Sequence, residues 1–129
     1  MTLEEYRDRS ELELLFEALL KRTNIPYVRE YPVLKEDPKR KGRSYLIDFA
    51  VVDKKIGFEV DGGMWIKGRH LTPTGFMKDA RKYVRAAQLG WYLFHIPGEW
   101  LKGTRITSKN KDYMMDYNEL KDFVTLVCK

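Results

Sequence analysis

The chain has 129 residues, 43% of them hydrophobic and 13% aromatic, with a formal net charge of +5, a composition typical of a folded protein. No apolar run approaches the roughly 20 residues that a membrane-spanning helix requires, and the polar N-terminus lacks the apolar segment of a signal peptide. The single cysteine, Cys128, excludes an internal disulfide and a cysteine zinc cluster and is expected to be an ordinary tail residue. We therefore expect one soluble, cytoplasmic domain over residues 1–129 with no membrane partner.

A first helix is predicted from the capping-box signature Ser10-Glu11-Leu12-Glu13. Apolar residues then repeat at helical spacing and predict one buried face: Leu12, Leu15, Phe16 and Leu19. Glu13 lies about 100° round the helix from Leu12, at the border of that face. It either completes the helix cap or approaches a metal site, and both interpretations stay open.

Residues 27–33 predict an edge strand, residues 35–43 a basic loop and residues 44–61 a hairpin turning at Asp53 to Lys55. Each hairpin strand carries one acid where an apolar residue is expected, Asp48 on the first and Glu59 on the second. Two carboxylates ~4 Å apart repel by ~4 kcal/mol at an effective dielectric of 20, a cost that a divalent cation between them would reverse. Alternatively, strand alternation lets Asp48 face solvent opposite Ile47.

After Gly62-Gly63 and a loop over residues 64–75, helical spacing returns from Phe76 to about Leu89, where Gly90 ends the helix. Its predicted apolar face is Phe76, Ala80, Tyr83, Val84 and Ala87, and its basic side is Lys78, Arg81, Lys82 and Arg85. Residues 91–96 predict a strand in which His95 is expected to be a core histidine. Residues 99–112 look irregular, and residues 117–127 predict a last helix.

Basic residues gather around the two acids. Residues 62–85 hold six Lys or Arg against one acid, Asp79. A polyanionic partner would explain this, because neutralising each phosphate releases condensed counterions. The alternative is an ordinary solvated basic surface.

These motifs resemble the PD-(D/E)XK nuclease superfamily. Asp48, followed eleven residues later by Glu59, matches its two metal-binding acids, and Glu13 matches the acid that many members carry on the first helix. The stretch EVDGG-x-W-x-x-GRH, then Gly75-Phe76-x-x-Asp79-x-x-Lys82-Tyr83 and Leu89-Gly90-Trp91, is similar to a phage and bacterial branch of small endonuclease-like proteins related to the very-short-patch DNA repair endonucleases. The resemblance covers residues 10–97.

The resemblance implies an α/β, restriction-endonuclease-like core of order α-β-β-β-α-β with a mixed central sheet flanked by helices, and leaves residues 98–129 as a helical appendage. It also implies a site for Mg²⁺ or Mn²⁺ held by Asp48 and Glu59, with Glu13 assisting. Lysine is expected two residues after the second acid, where this chain has Asp61. Lys82 and His70 are therefore the candidates for the displaced cationic group, and Asp61 either joins the metal ligands or bonds Arg69 or His70.

DNA is the partner that the resemblance implies. The residues expected to contact it are Lys67, Arg69, Lys78, Arg81 and Arg85 for backbone phosphates, and Trp65 for stacking on a base or, more ordinarily, for packing beneath its loop. The hypothesis is a metal-dependent DNA endonuclease that hydrolyses phosphodiester bonds. The alternatives are a catalytically inactive DNA-binding module on the same fold and a dimeric, structure-specific resolvase of the Holliday-junction type, a homodimer.

Overall fold

A computed structural model describes residues 3–34, 45–61 and 72–129 of the chain. The helices and strands follow the predicted order, which confirms the fold class. They are α1 Leu3–Thr23, β1 Val28–Pro32, β2 Leu46–Val51, β3 Ile56–Asp61, α2 Pro73–Gln88, β4 Tyr92–Pro97 and α3 Tyr117–Val127. The described part of the chain contains no helix with the length and hydropathy needed to cross a membrane.

The four strands form one mixed sheet of order β1-β2-β3-β4. Strands β1 and β2 are antiparallel, as are β2 and β3, which a short 3-10 turn at Val52–Lys54 joins. Lys55 closes that turn in the left-handed conformation, with φ 55°. Strand β4 lies beside β3, and helix α2 connects the two strands. The predicted hairpin and the predicted edge position of β1 are both confirmed.

Helix α1 begins at Leu3, so the prediction that Ser10 caps its N-terminus is wrong. Ser10 lies inside the helix. The buried face consists of Leu12, Phe16, Leu19 and Leu20, whereas Leu15 is 46% exposed and was wrongly assigned to it. Leu20 follows Phe16 by four residues and therefore lies on the same side of the helix as Phe16.

Helix α2 packs against the sheet with a different face from the one that its sequence predicts. The predicted apolar face is largely exposed, since Phe76 and Val84 are 67% and 56% accessible. The two buried residues are Lys82 and Ala86, so the packed face lies roughly a third of a turn from the predicted one. The reason is chemical: the sheet offers the carboxylate of Glu59 to Lys82 and an apolar cluster to Ala86.

The start of α2 is also earlier than predicted. Thr72 caps it by accepting a hydrogen bond from the Gly75 amide at 3.0 Å, and Pro73 occupies the first turn. Proline is well suited to that position because its missing N–H would have no partner there. The predicted end is confirmed, since Gly90 follows the helix with φ 87°.

The described residues fall into two compact units. The first contains residues 3–26, 60–61 and 96–129, and the second contains residues 27–34, 45–59 and 72–95. In the first unit α1 and α3 pack together, with Leu120 and Val124 buried. Cys128, expected to be an ordinary tail residue, is buried. The expectation of a single domain over the whole chain stays a prediction.

Candidate active site

The two acids of the hairpin come from neighbouring strands. The paired register of β2 and β3 runs from Val51↔Ile56 to Phe49↔Phe58, and the next residues along the two strands are Asp48 and Glu59. Asp48 is 7% exposed and the Glu59 side chain 12%. Neither acid therefore faces solvent, and the alternative of a solvent-facing Asp48 is wrong.

The backbone around Asp48 departs from regular strand alternation. Ile47 and Ala50 pack in the same cluster beside α2, although residues three apart on a regular strand point to opposite faces. On β1, Glu30 lies at the position that faces Asp48, between the pairs Arg29↔Phe49 and Tyr31↔Ile47, and has φ 51°. A positive φ at a residue other than glycine is uncommon. Distortions of this kind cluster at functional sites, and this one faces Asp48.

Lys82 supplies the positive charge at this site. Its ammonium donates to Oε1 of Glu59 in a salt bridge, and its side chain is 10% exposed. The rings of Tyr45 and Tyr83 lie with their centroids 5.9 Å from the same nitrogen, within the range of a cation–π contact. Helical spacing places Lys82 on the basic side of α2, but pairing with a buried carboxylate draws it to the sheet.

The second oxygen of Glu59 is held by a residue that the sequence assigned to packing. The Tyr83 hydroxyl donates to Oε2 of Glu59 at 2.8 Å and also contacts Nε2 of His95. His95 is exposed, so the prediction of a core histidine is wrong. A tyrosine on an apolar helix face has a hydroxyl group that usually forms a hydrogen bond when the ring is buried. The position of Tyr83 on the predicted apolar face was therefore a signal present in the sequence. No sequence signal distinguished His95.

Two further predicted ligands belong to the first unit. Glu13 on α1 and Asp61 at the end of β3 are both half-buried. Their participation in a site with Asp48 and Glu59 stays a prediction.

The predicted DNA contacts divide into described and undescribed positions. Lys78 and Arg81 are exposed on α2, and Arg85 is half-buried and donates to the side chain of Gln88. Four other predicted site residues lie outside the described residues: Trp65, Lys67, Arg69 and His70. The basic loop at 35–43 lies outside them as well.

The donor set fits Mg²⁺ or Mn²⁺. Within residues 3–34, 45–61 and 72–129, no three acidic, histidine or cysteine side chains converge on one point. Mg²⁺ does not require three, since it usually keeps several waters and takes one or two carboxylates together with substrate phosphate. Asp48 and Glu59 would provide those two, and their hard oxygens suit Mg²⁺ and Mn²⁺.

No protein-family model matches the sequence, and no curated protein matches it. Among solved structures, the catalytic domain of the homing endonuclease I-Bth0305I is similar to this chain, with a TM-score of 0.56 and 16% sequence identity. The similarity spans 92% of this chain and 97% of that domain. The chain has a nuclease-type fold. A nuclease fold was predicted from the sequence, and that coarser part of the prediction is confirmed.

Proposed function

We propose that the chain is a metal-dependent DNA endonuclease that hydrolyses phosphodiester bonds with Mg²⁺ or Mn²⁺. The observation that carries the proposal is the salt bridge between Lys82 and Glu59, which brings a lysine to the second of two neighbouring strand acids on a nuclease-type fold. The similarity to a homing endonuclease catalytic domain supports DNA as the substrate. Fold alone does not define function, so the remaining support for the proposal comes from the side chains Asp48, Glu59 and Lys82.

In this proposal Asp48 and Glu59 hold the ion, and Lys82 takes the part of the lysine that the family resemblance places at position 61. When bound, the ion supplies an acidified water and stabilises the charge of the departing oxygen. The ammonium of Lys82 orients that water or neutralises the charge that develops on the phosphate. Its burial strengthens this effect, because electrostatic interactions are stronger away from bulk water.

Other predicted residues complete the proposed site. Glu13 and Asp61 would add oxygen ligands, and His70 would support the attacking water. Exposed Lys78 and Arg81 would hold phosphates with Arg85, Lys67 and Arg69, while Trp65 would stack on a base. Membership of the PD-(D/E)XK superfamily, kinship with the short-patch repair branch and a cytoplasmic location belong to the same proposal.

The test is cleavage of supercoiled plasmid and of branched DNA by purified protein in Mg²⁺ or in EDTA. We expect cleavage in Mg²⁺ alone, and its loss in Asp48→Asn and Glu59→Gln. Asp53→Asn is the matched control, because Asp53 is an exposed aspartate in the turn of the same hairpin. Equal cleavage by wild type and the two site variants would show that the site is wrongly assigned.

An inactive DNA-binding module is the alternative, and its main support was the absence of lysine at position 61. Lys82 beside Glu59 weakens that support, since a lysine is present at the acid pair. DNA binding without cleavage of any substrate, and without calorimetric Mg²⁺ binding, would favour this alternative. Cleavage only of four-way junctions by a dimer would favour the resolvase.

A further inference from the structure

Three side chains of the second unit form a hydrogen-bonded chain that ends on Glu59. The Tyr83 hydroxyl lies 2.8 Å from Oε2 of Glu59 and in hydrogen-bond contact with Nε2 of His95. The Tyr83 and His95 rings also pack together, with centroids 4.9 Å apart and planes inclined by 48°. The proposed function assigns no role to Tyr83 or His95.

The donors and acceptors in this chain run in one direction. A tyrosine hydroxyl has a single proton to donate, and an ionised carboxylate only accepts. The Tyr83 proton therefore goes to Glu59, and the hydroxyl oxygen accepts from a protonated Nε2 of His95. The order is His95 to Tyr83 to Glu59, and it requires the histidine tautomer that carries its proton on Nε2.

Lys82 and Tyr83, adjacent on α2, thus hold different oxygens of Glu59. Lys82 donates to Oε1 and Tyr83 to Oε2, so that the carboxylate is fixed at both ends. Each carboxylate oxygen has more than one acceptor site, and both donors therefore leave Glu59 able to bind a cation. Hydrogen bonds that orient a metal ligand in this way typically change metal affinity by about 10–100-fold.

We propose that Tyr83, oriented by His95, is a positioning residue that fixes the Glu59 carboxylate for metal binding. This inference rests on the proposed metal-dependent function. It assigns to the Tyr83 hydroxyl an effect on Mg²⁺ affinity, and to His95 an effect exerted through that hydroxyl. Because His95 is exposed on β4, its replacement leaves the apolar core intact.

The experiment is calorimetric titration of the full chain with MgCl₂ in the absence of DNA. Tyr83→Phe, which removes only the hydroxyl, is expected to weaken Mg²⁺ binding by about 10-fold. His95→Ala is expected to weaken it less, and His95→Gln to restore it, since the glutamine amide places an N–H near the position of Nε2. Tyr92→Phe is the matched control, because Tyr92 is 69% exposed on the same strand as His95.

A double variant separates a positioning chain from two independent effects. If His95 acts through the Tyr83 hydroxyl, Tyr83→Phe/His95→Ala binds Mg²⁺ as Tyr83→Phe alone does. Additive losses would overturn the inference, as would Mg²⁺ binding of wild-type strength in Tyr83→Phe. If Tyr83→Phe does not fold, failure of His95→Gln to bind more tightly than His95→Ala overturns it equally.

The same titration distinguishes failure of the inference from failure of the proposed function. A wild-type chain that neither binds Mg²⁺ nor cleaves DNA would remove the proposed function and this inference together. A wild-type chain that does both, beside a Tyr83→Phe variant with unchanged Mg²⁺ affinity, would remove the inference alone.

Discussion

Lys82 donates to Oε1 of Glu59, although it lies 23 residues further along the chain, on helix α2. Both side chains are about nine-tenths buried, with 10% and 12% exposed. An ammonium with so little solvent requires a counter-charge, and two carboxylates on neighbouring strands require a cation. The salt bridge supplies the counter-charge for Lys82 and a cation for Glu59. It also places at Glu59 the charge that the family resemblance expects at Asp61.

Removing the lysine destabilises the metal-free protein. Lys82→Met leaves the Glu59 carboxylate buried without its ammonium and beside Asp48, and breaking a buried pair in this way costs about 3 kcal/mol. The measurement is urea unfolding in EDTA. We expect a lower midpoint and an unchanged slope.

Two controls bear on that result. Lys78 is exposed on the same helix. Lys78→Met should therefore change the free energy of unfolding by less than about 0.5 kcal/mol. Lys82→Met/Glu59→Gln removes both charges and should be more stable than Lys82→Met alone. A double variant whose loss equals the sum of the single losses would contradict the ion pair.

The exposed bases of α2 should govern affinity for DNA and its dependence on salt. Lys78→Ala and Arg81→Ala each remove one phosphate contact in the proposed complex, so each should lower the slope of log K against log salt by about 0.9. The measurement is fluorescence anisotropy with a labelled duplex in EDTA. Lys109→Ala is the control, because Lys109 is an exposed lysine that is not among the residues predicted to contact DNA. An unchanged slope in both α2 variants would exclude these contacts.

The orientation of α2 can be tested by comparing two phenylalanines. Phe76 is 67% exposed and Phe58 is fully buried. Phe76→Ala should therefore change the free energy of unfolding by less than about 0.5 kcal/mol, and Phe58→Ala should cost about 3–5 kcal/mol. Chemical denaturation measures both. A cost above about 2 kcal/mol at Phe76 would show that the predicted apolar face is the packed one after all.

The sequence was sufficient for the order of the elements because each depends on local signals. The hairpin follows from two apolar strands around a polar turn, and the bounds of α3 follow from the spacing of Leu120 and Val124. The start of α2 was missed although Thr72-Pro73 is a start signal. Residues 64–75 lack helical spacing of apolar residues, so the prediction placed the start of α2 after them in spite of the Thr72 cap.

The site was predicted only in part because its polar contacts depend on tertiary structure. Asp48 and Glu59 were identifiable because an acid in an apolar strand is costly wherever the strand lies. Lys82 was a candidate, but its burial could not be derived from α2 alone, since helical spacing favours the face of Phe76. The face of Lys82 packs against the sheet instead, because the Glu59 carboxylate pairs with this lysine. The polar hydroxyl of Tyr83 was a signal present in the sequence. Its link to His95 was not predictable, because that link exists only once α2 lies beside β3 and β4.

The most direct test of the proposed site is plasmid cleavage by Lys82→Met beside Lys78→Met, in Mg²⁺ and at matched DNA saturation. If Lys82 acts in the reaction, its loss lowers the single-turnover rate by about 100-fold or more, whereas Lys78→Met cleaves at the wild-type rate once it is saturated with DNA. A Lys82→Met variant that is folded, binds DNA and cleaves at the wild-type rate would contradict the account.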